Sequence, residues 1–95
     1  MIIVAGSLMV HSTDRESYLL GCTQVIEAAR SSDGCIDFYL SADPIESGRI
    51  NIFEQWESVQ AVEAFRGSGP SDEQQAAVIG ASVTQHEIAT SSSLT

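Results

Sequence analysis

Arg49-Ile-Asn-Ile-Phe-Glu-Gln-Trp-Glu-Ser58 holds the only tryptophan of the chain. Ile, Phe and Trp favour strands, and Gly48 and Ser58 bound the run, so it reads as a strand. Side chains alternate along a strand. Ile50, Ile52, Glu54 and Trp56 therefore share one face, and Asn51, Phe53, Gln55 and Glu57 share the other. Each face mixes apolar with polar groups. A strand with one wet side divides more cleanly, so this one reads as covered on both sides.

The preceding run, Cys35–Asp43, is a second strand. Ile36, Phe38, Leu40 and Ala42 form its apolar face, and Cys35, Asp37, Tyr39 and Ser41 a mixed one. Asp43-Pro44-Ile45-Glu46-Ser47-Gly48 is a turn. Two strands around so short a connection predict an antiparallel hairpin. Further upstream, Ile2 to His11 reads as the first strand, with Ile2, Val4, Leu8 and Val10 on one apolar face. Ile3, Ala5, Ser7, Met9 and His11 lie on the other. Gly6 marks a bulge or a close approach by another group. Thr13-Asp14-Arg15-Glu16 has the form of a capping box. It predicts one helix running to about Ser32, with Tyr18, Cys22, Val25, Ile26 and Ala29 as its apolar stripe. Asp33-Gly34 ends it, Gly34 being suited to a left-handed residue.

Downstream, Ser58 is placed to cap a helix over Val59–Arg66, with Val62 and Phe65 on its inner side. Gly67-Ser68-Gly69-Pro70 breaks that helix. Ser71-Asp72-Glu73-Gln74 predicts a further short helix, through Ala77 to about Gly80. The last strand is expected over Ser82–Thr90, and 91–95 as a flexible tail. The order strand, helix, strand, strand, helix, strand predicts an α+β, ferredoxin-like βαββαβ fold with a four-stranded antiparallel sheet. Right-handed crossovers put both helices on one face of the sheet. The other face carries Met9 and Tyr39, with Trp56 a further candidate. An exposed apolar patch of that kind is normally an interface. A homodimer joined through the sheet face is the expectation.

Composition narrows the function. The 95 residues are read as a single domain, 1–95. The net charge is −9, with four Lys and Arg residues in all, every one an arginine. Such a surface repels phosphate backbones and anionic headgroups, so neither nucleic acid nor membrane is an expected partner. No apolar run is long enough to cross a bilayer, and Met1-Ile2-Ile3-Val4-Ala5-Gly6 lacks the basic start of a signal peptide. A cytoplasmic location is expected. Cys22 and Cys35 have no metal-ligand spacing and no nearby His, so no metal site is expected.

The chain resembles the antibiotic biosynthesis monooxygenase family, small dimeric α+β barrel proteins that include quinol monooxygenases. The matching residues are Asp33-Gly34-Cys35, Phe38, Leu40, Asp43-Pro44, and above all Phe53-Glu54-Gln55-Trp56-Glu57-Ser58 followed by Ala61 and Phe65. There are departures. The family often has Pro where Asp33 stands and His where Phe65 stands, with a further His a few residues on; Val59–Gly80 contains no His. Haem degradation, which would need such a His, is therefore disfavoured. The resemblance implies oxidation of a small aromatic, polyketide or quinol-type substrate by O₂ with no cofactor. The protein would supply a dry pocket, a proton acceptor and polar groups that steady an anion.

Four residues are candidates for that chemistry. Glu54 is flanked by Ile52 and Trp56, and burial would raise its pKa and make it a base; pairing with an arginine across a dimer contact is the alternative. Asn51, an unfavourable strand residue, could orient a substrate carbonyl or phenolate, or simply bond locally. Tyr39 could donate to an oxyanion or sit in the interface. His86 is the best acceptor near neutral pH, although a lone strand His is more often structural. Trp56, Phe53, Phe65 and Phe38 are the aromatic residues offered for the substrate, although Trp56 better suits a core or interface anchor. The competing reading is a non-catalytic ligand-binding or regulatory dimer of the same fold.

Overall fold

The computed structural model describes residues 1–66 and 77–95. Its elements are β1 (Ile2–Val10), α1 (Arg15–Gly21), α2 (Thr23–Arg30), β2 (Cys35–Ala42), β3 (Arg49–Trp56), α3 (Val59–Arg66) and β4 (Val78–Glu87). The strands form one four-stranded sheet in the order β2-β3-β1-β4, with every neighbouring pair antiparallel. This is the ferredoxin-like arrangement. The β2–β3 hairpin forms as its turn chemistry requires: Asp43 Oδ2 accepts from the backbone N–H groups of Ile45 and Glu46.

Pairing between strands settles the two faces. Ile2 faces Trp56, Val4 faces Glu54 and Leu8 faces Ile50 across β1 and β3. These even-numbered residues, with Phe38 and Leu40 of β2, form the face under the helices. Ile2, Val4, Ala29, Phe38, Trp56 and Val62 make one buried cluster; Val10, Tyr18, Cys22 and Ile50 make a second. Trp56 is fully buried, so it belongs to the helix-covered face and not to the open one. Phe65 and Phe38 close around it, with ring centroids 5.3 Å and 6.5 Å from the indole.

Several local expectations are corrected. No side chain caps the first helix: its N-cap is Asp14, and the capping box at Thr13 does not form. The single helix expected to Ser32 is split at Cys22. The split is one residue wide, since Cys22 N–H still reaches the Tyr18 carbonyl and Ile26 N–H the Cys22 carbonyl. Its cause is the tightened backbone after Gly21, a poor helix former. In β2 the register slips between Cys35 and Asp37. That bulge puts Cys35 opposite Trp56 and leaves Ile36 46% exposed, whereas simple alternation placed Ile36 on the apolar face. β4 begins at Val78, not Ser82, because Val78 and Gly80 already pair with Val10 and Met9. Most of the short helix expected over 71–80 lies outside the described residues.

Two glycines answer to contacts. The helical segment ends at Arg30 with Ser31 as its cap, so Gly34 does not terminate it. Gly34 instead turns the chain into β2 with φ 83°, a left-handed conformation that costs a residue with a side chain about 1–2 kcal/mol. Gly6 has φ 152°, and a Cβ there would strike the Ser82 carbonyl of β4. The register runs through Gly6 unbroken, so it marks a close approach rather than a bulge. The Ser58 hydroxyl caps α3 by accepting from Ala61 N–H at 3.2 Å, as its position predicts.

Candidate active site

The sheet's helix-covered face does not pack solid. A cavity of about 650 Å³ lies between it and the helices. Val4, Val25, Phe38, Leu40, Ile52 and Phe65 supply most of the wall, and Tyr18, Cys22, Glu54, Arg66 and Gln85 supply the polar groups. The floor follows from strand pairing. Phe38, Glu54, Val4 and Gln85 stand in one row across β2, β3, β1 and β4. Neighbouring strands are about 4.8 Å apart, so Glu54 and Gln85 flank Val4 across roughly 10 Å of floor.

Glu54 is the carboxyl in this apolar setting. The buried Trp56 indole N–H donates to its Oε1 at 3.0 Å. Burial among apolar side chains pushes its pKa up, against the Trp56 hydrogen bond and the charge of Arg66, both of which pull it down. Oε2 is then the oxygen left for a ligand. Tyr18 and Cys22 line the opposite wall, and burial, with the neighbouring Cys22, raises the Tyr18 pKa. At neutral pH Tyr18 is thus a hydrogen-bond donor, not an anion. Cys35 lies under the helices beside Trp56, where burial and the carboxylates of Asp37 and Glu54 push its thiol up and Arg30 pulls it down.

The sequence candidates fall on different faces. Glu54, Phe38, Phe65 and Trp56 share the helix-covered face; Glu54, Phe38 and Phe65 line the cavity, and Trp56 packs behind them. Asn51, Tyr39, Phe53 and His86 lie on the opposite, open face. Asn51 is engaged there: its Oδ1 accepts from Arg49 Nε at 2.7 Å and its Nδ2 donates to Asp43 Oδ1 at 2.9 Å. Tyr39 stacks on Phe53 with centroids 5.3 Å apart. His86 pairs with Ile3 on the exposed strand β4. Tyr18, Cys22, Arg66 and Gln85 were not singled out for the site from the sequence. Helical spacing had already put Tyr18 and Cys22 on the inner stripe, but nothing local marked Arg66 or Gln85. Among the described residues no group of His, Cys, Asp or Glu converges as a metal-ion site, and no helix is long and apolar enough to cross a membrane.

The family model for antibiotic biosynthesis monooxygenases matches residues 1–78. The chain belongs to that family. Solved structures agree on the fold. A protein from Deinococcus radiodurans, assigned as an antibiotic biosynthesis monooxygenase, superposes with a TM-score of 0.78 at 21% identity, covering 100% of this chain and 99% of that one. One from Nitrosomonas europaea with the same assignment gives 0.80 at 10% identity, over 95% and 100%. A protein from Mycobacterium tuberculosis gives 0.79 at 22%, over 97% and 98%. By sequence, an uncharacterized protein of Synechocystis is 31% identical over 62 residues, 65% of this chain. The match spans 42% of that relative's length. In this antibiotic biosynthesis monooxygenase domain, Glu54 is the one carboxyl among the described residues that line the helix-covered cavity.

Proposed function

We propose that the protein is a cofactor-independent monooxygenase that oxidises a small aromatic, polyketide or quinol-type substrate with O₂ in the helix-covered cavity. One observation carries the reading: a carboxyl of raised pKa, tethered by a buried indole, faces a mostly apolar cavity of about 650 Å³. Such cavities hold small aromatic ligands, with a few polar groups fixing orientation. Glu54 Oε2 takes the proton of a substrate phenol or enol. The resulting anion is electron-rich and reduces O₂ directly. For an anthrone-type substrate a carbon–oxygen bond forms to give a hydroperoxide, which loses water to leave the quinone. O₂ thus supplies one oxygen atom to product and one to water, and the substrate supplies the electrons. Phe38 and Phe65 confine the ring and exclude water. The raised pKa makes Glu54 a stronger proton acceptor than an ordinary carboxylate.

The open face is assigned to a second copy of the chain. Tyr39, Phe53, Met9 and Ile3 form an apolar centre there, and Asn51 is held in place by Arg49 and Asp43. In this reading Asn51, Tyr39 and His86 serve the homodimer contact, and Glu54 serves the chemistry.

The test is oxygen uptake in chelator-treated buffer with anthrones, naphthohydroquinones and catechols. Uptake coupled to incorporation of one oxygen atom from labelled O₂ into the product, and lost in Glu54→Gln, is the expected result. Ligand binding in the cavity with no turnover of any of these compounds would replace the enzyme by a ligand-binding dimer.

A further inference from the structure

Four arginines carry the fixed positive charge of a chain whose net charge is −9. Three are committed to the fold. Arg15 donates to the carbonyls of Asp43 at 3.1 Å and Glu46 at 3.0 Å, fastening the hairpin turn to α1. Arg30 Nε donates to the Phe38 carbonyl at 2.8 Å. Arg49 holds Asn51 and lies 3.7 Å from Asp43 Oδ1.

Arg66 is different. It stands in the last turn of α3, exposed at the rim of the cavity that Glu54 faces. Among the described residues its only electrostatic partner is Glu54, at longer range than an ion pair. The cavity therefore has a proton acceptor on its floor, aromatic walls at Phe38 and Phe65, and an uncommitted guanidinium at its mouth. A guanidinium is a planar fork of donors that matches a carboxylate. An uncharged molecule gains little from it. An acidic molecule is repelled by the chain's net charge of −9, so a cation at the mouth decides whether it enters.

We propose that Arg66 determines the specificity of the cavity, selecting an aromatic substrate that bears a carboxylate at the mouth and its reactive hydroxyl at Glu54. The proposal rests on the cavity being the substrate site. A carboxylate bound there also neutralises the charge that now favours ionised Glu54, leaving a stronger proton acceptor opposite the hydroxyl.

Calorimetric binding of 6-hydroxy-2-naphthoate against 2-naphthol tests it without any need for turnover. A charge-assisted hydrogen bond corresponds to a preference of about ten- to hundred-fold, so the wild type should bind the naphthoate tighter by that factor in low salt. The ratio should shrink in high salt, because Arg66 is exposed. Arg66→Met should bring the two affinities to within about threefold of each other, and Arg66→Lys should retain part of the preference. Equal affinities in the wild type, a ratio unchanged in Arg66→Met, or no binding of either probe would overturn the proposal. The two readings fail separately. A preference that depends on Arg66 without oxygen uptake removes the oxygenase, and uptake without such a preference removes the carboxylate.

Discussion

Glu54 has two duties, and a pair of substitutions separates them. Its Oε1 satisfies the indole N–H of Trp56, whose side chain is fully buried. Its charge, held in an apolar cavity, supplies the proton acceptor. Glu54→Gln keeps a carbonyl oxygen for the indole and removes the charge. Glu54→Leu removes both. A buried donor left without a partner costs about 1–3 kcal/mol, so Glu54→Leu should unfold in urea with a stability lower by that amount. The Gln variant should match the wild type or exceed it by up to about 1 kcal/mol.

The sign of the pH dependence follows from the raised pKa. The folded protein disfavours ionised Glu54, so wild-type stability is full below the ordinary carboxylate value of 4.5 and declines as pH rises through the higher folded value. The Gln variant lacks that decline, so its advantage should grow from pH 4.5 through the folded value and then level off. Oxygen uptake should fall by about 10²–10⁴-fold in both variants, the range typical of losing a general base. A Gln variant less stable than the Leu variant would refute the hydrogen-bond argument. A Gln variant with wild-type turnover would refute the assignment of the base.

Other outcomes follow from the same geometry. In the wild type, turnover should rise with pH through an inflection above the ordinary carboxylate range; Trp56→Phe removes the hydrogen bond that lowers the Glu54 pKa and should move the inflection higher. Asp43 is drawn down to about 2 by the N–H of Glu46, the Asn51 amide and the N–H of Ile45. Its contribution is present above the ordinary value of 3.8 and is lost as pH falls toward 2, so the melting temperatures of wild type and Asp43→Ala should converge over that window. Gly6→Ala drives a methyl into the β4 backbone at Ser82 and should cost more than about 2 kcal/mol. Gly80→Ala meets only the Met9 side chain, at 3.6 Å, and should melt close to the wild type. Phe53→Asp on the open face should lower the mass measured by light scattering to that of one chain.

Much of the fold was written in two-residue alternation. The parity of Ile2, Val4, Leu8 and Val10 matched that of Ile50, Ile52, Glu54 and Trp56, and pairing placed both sets under the helices. The order of elements then implied the sheet order. What alternation missed were breaks in itself. The bulge at Ile36 exchanges the faces of Cys35 and Ile36, and no residue there announces it. Thr13-x-x-Glu16 has the letters of a capping box, yet the helix starts one residue later, because Asp14 takes the cap position with a helical backbone. The site was half legible. Glu54 stood out as a charge between apolar neighbours on one face. Its separation from Asn51 could also be read from parity within β3, but that from Tyr39 and His86 needed the register of β2 and β4, and the cover over each face could not be read at all. Arg66 and Gln85 enter the cavity through tertiary packing alone.

The central question is which face of the sheet holds the substrate. A crystal structure with 2-naphthol bound tests this most directly. The expectation is a ring in the helix-covered cavity, against the touching pair Phe38 and Phe65, with its hydroxyl within hydrogen-bond distance of Glu54 Oε2. A ring lodged on the open face, against Tyr39, Asn51 or His86 and with the helix-covered cavity empty, would contradict it.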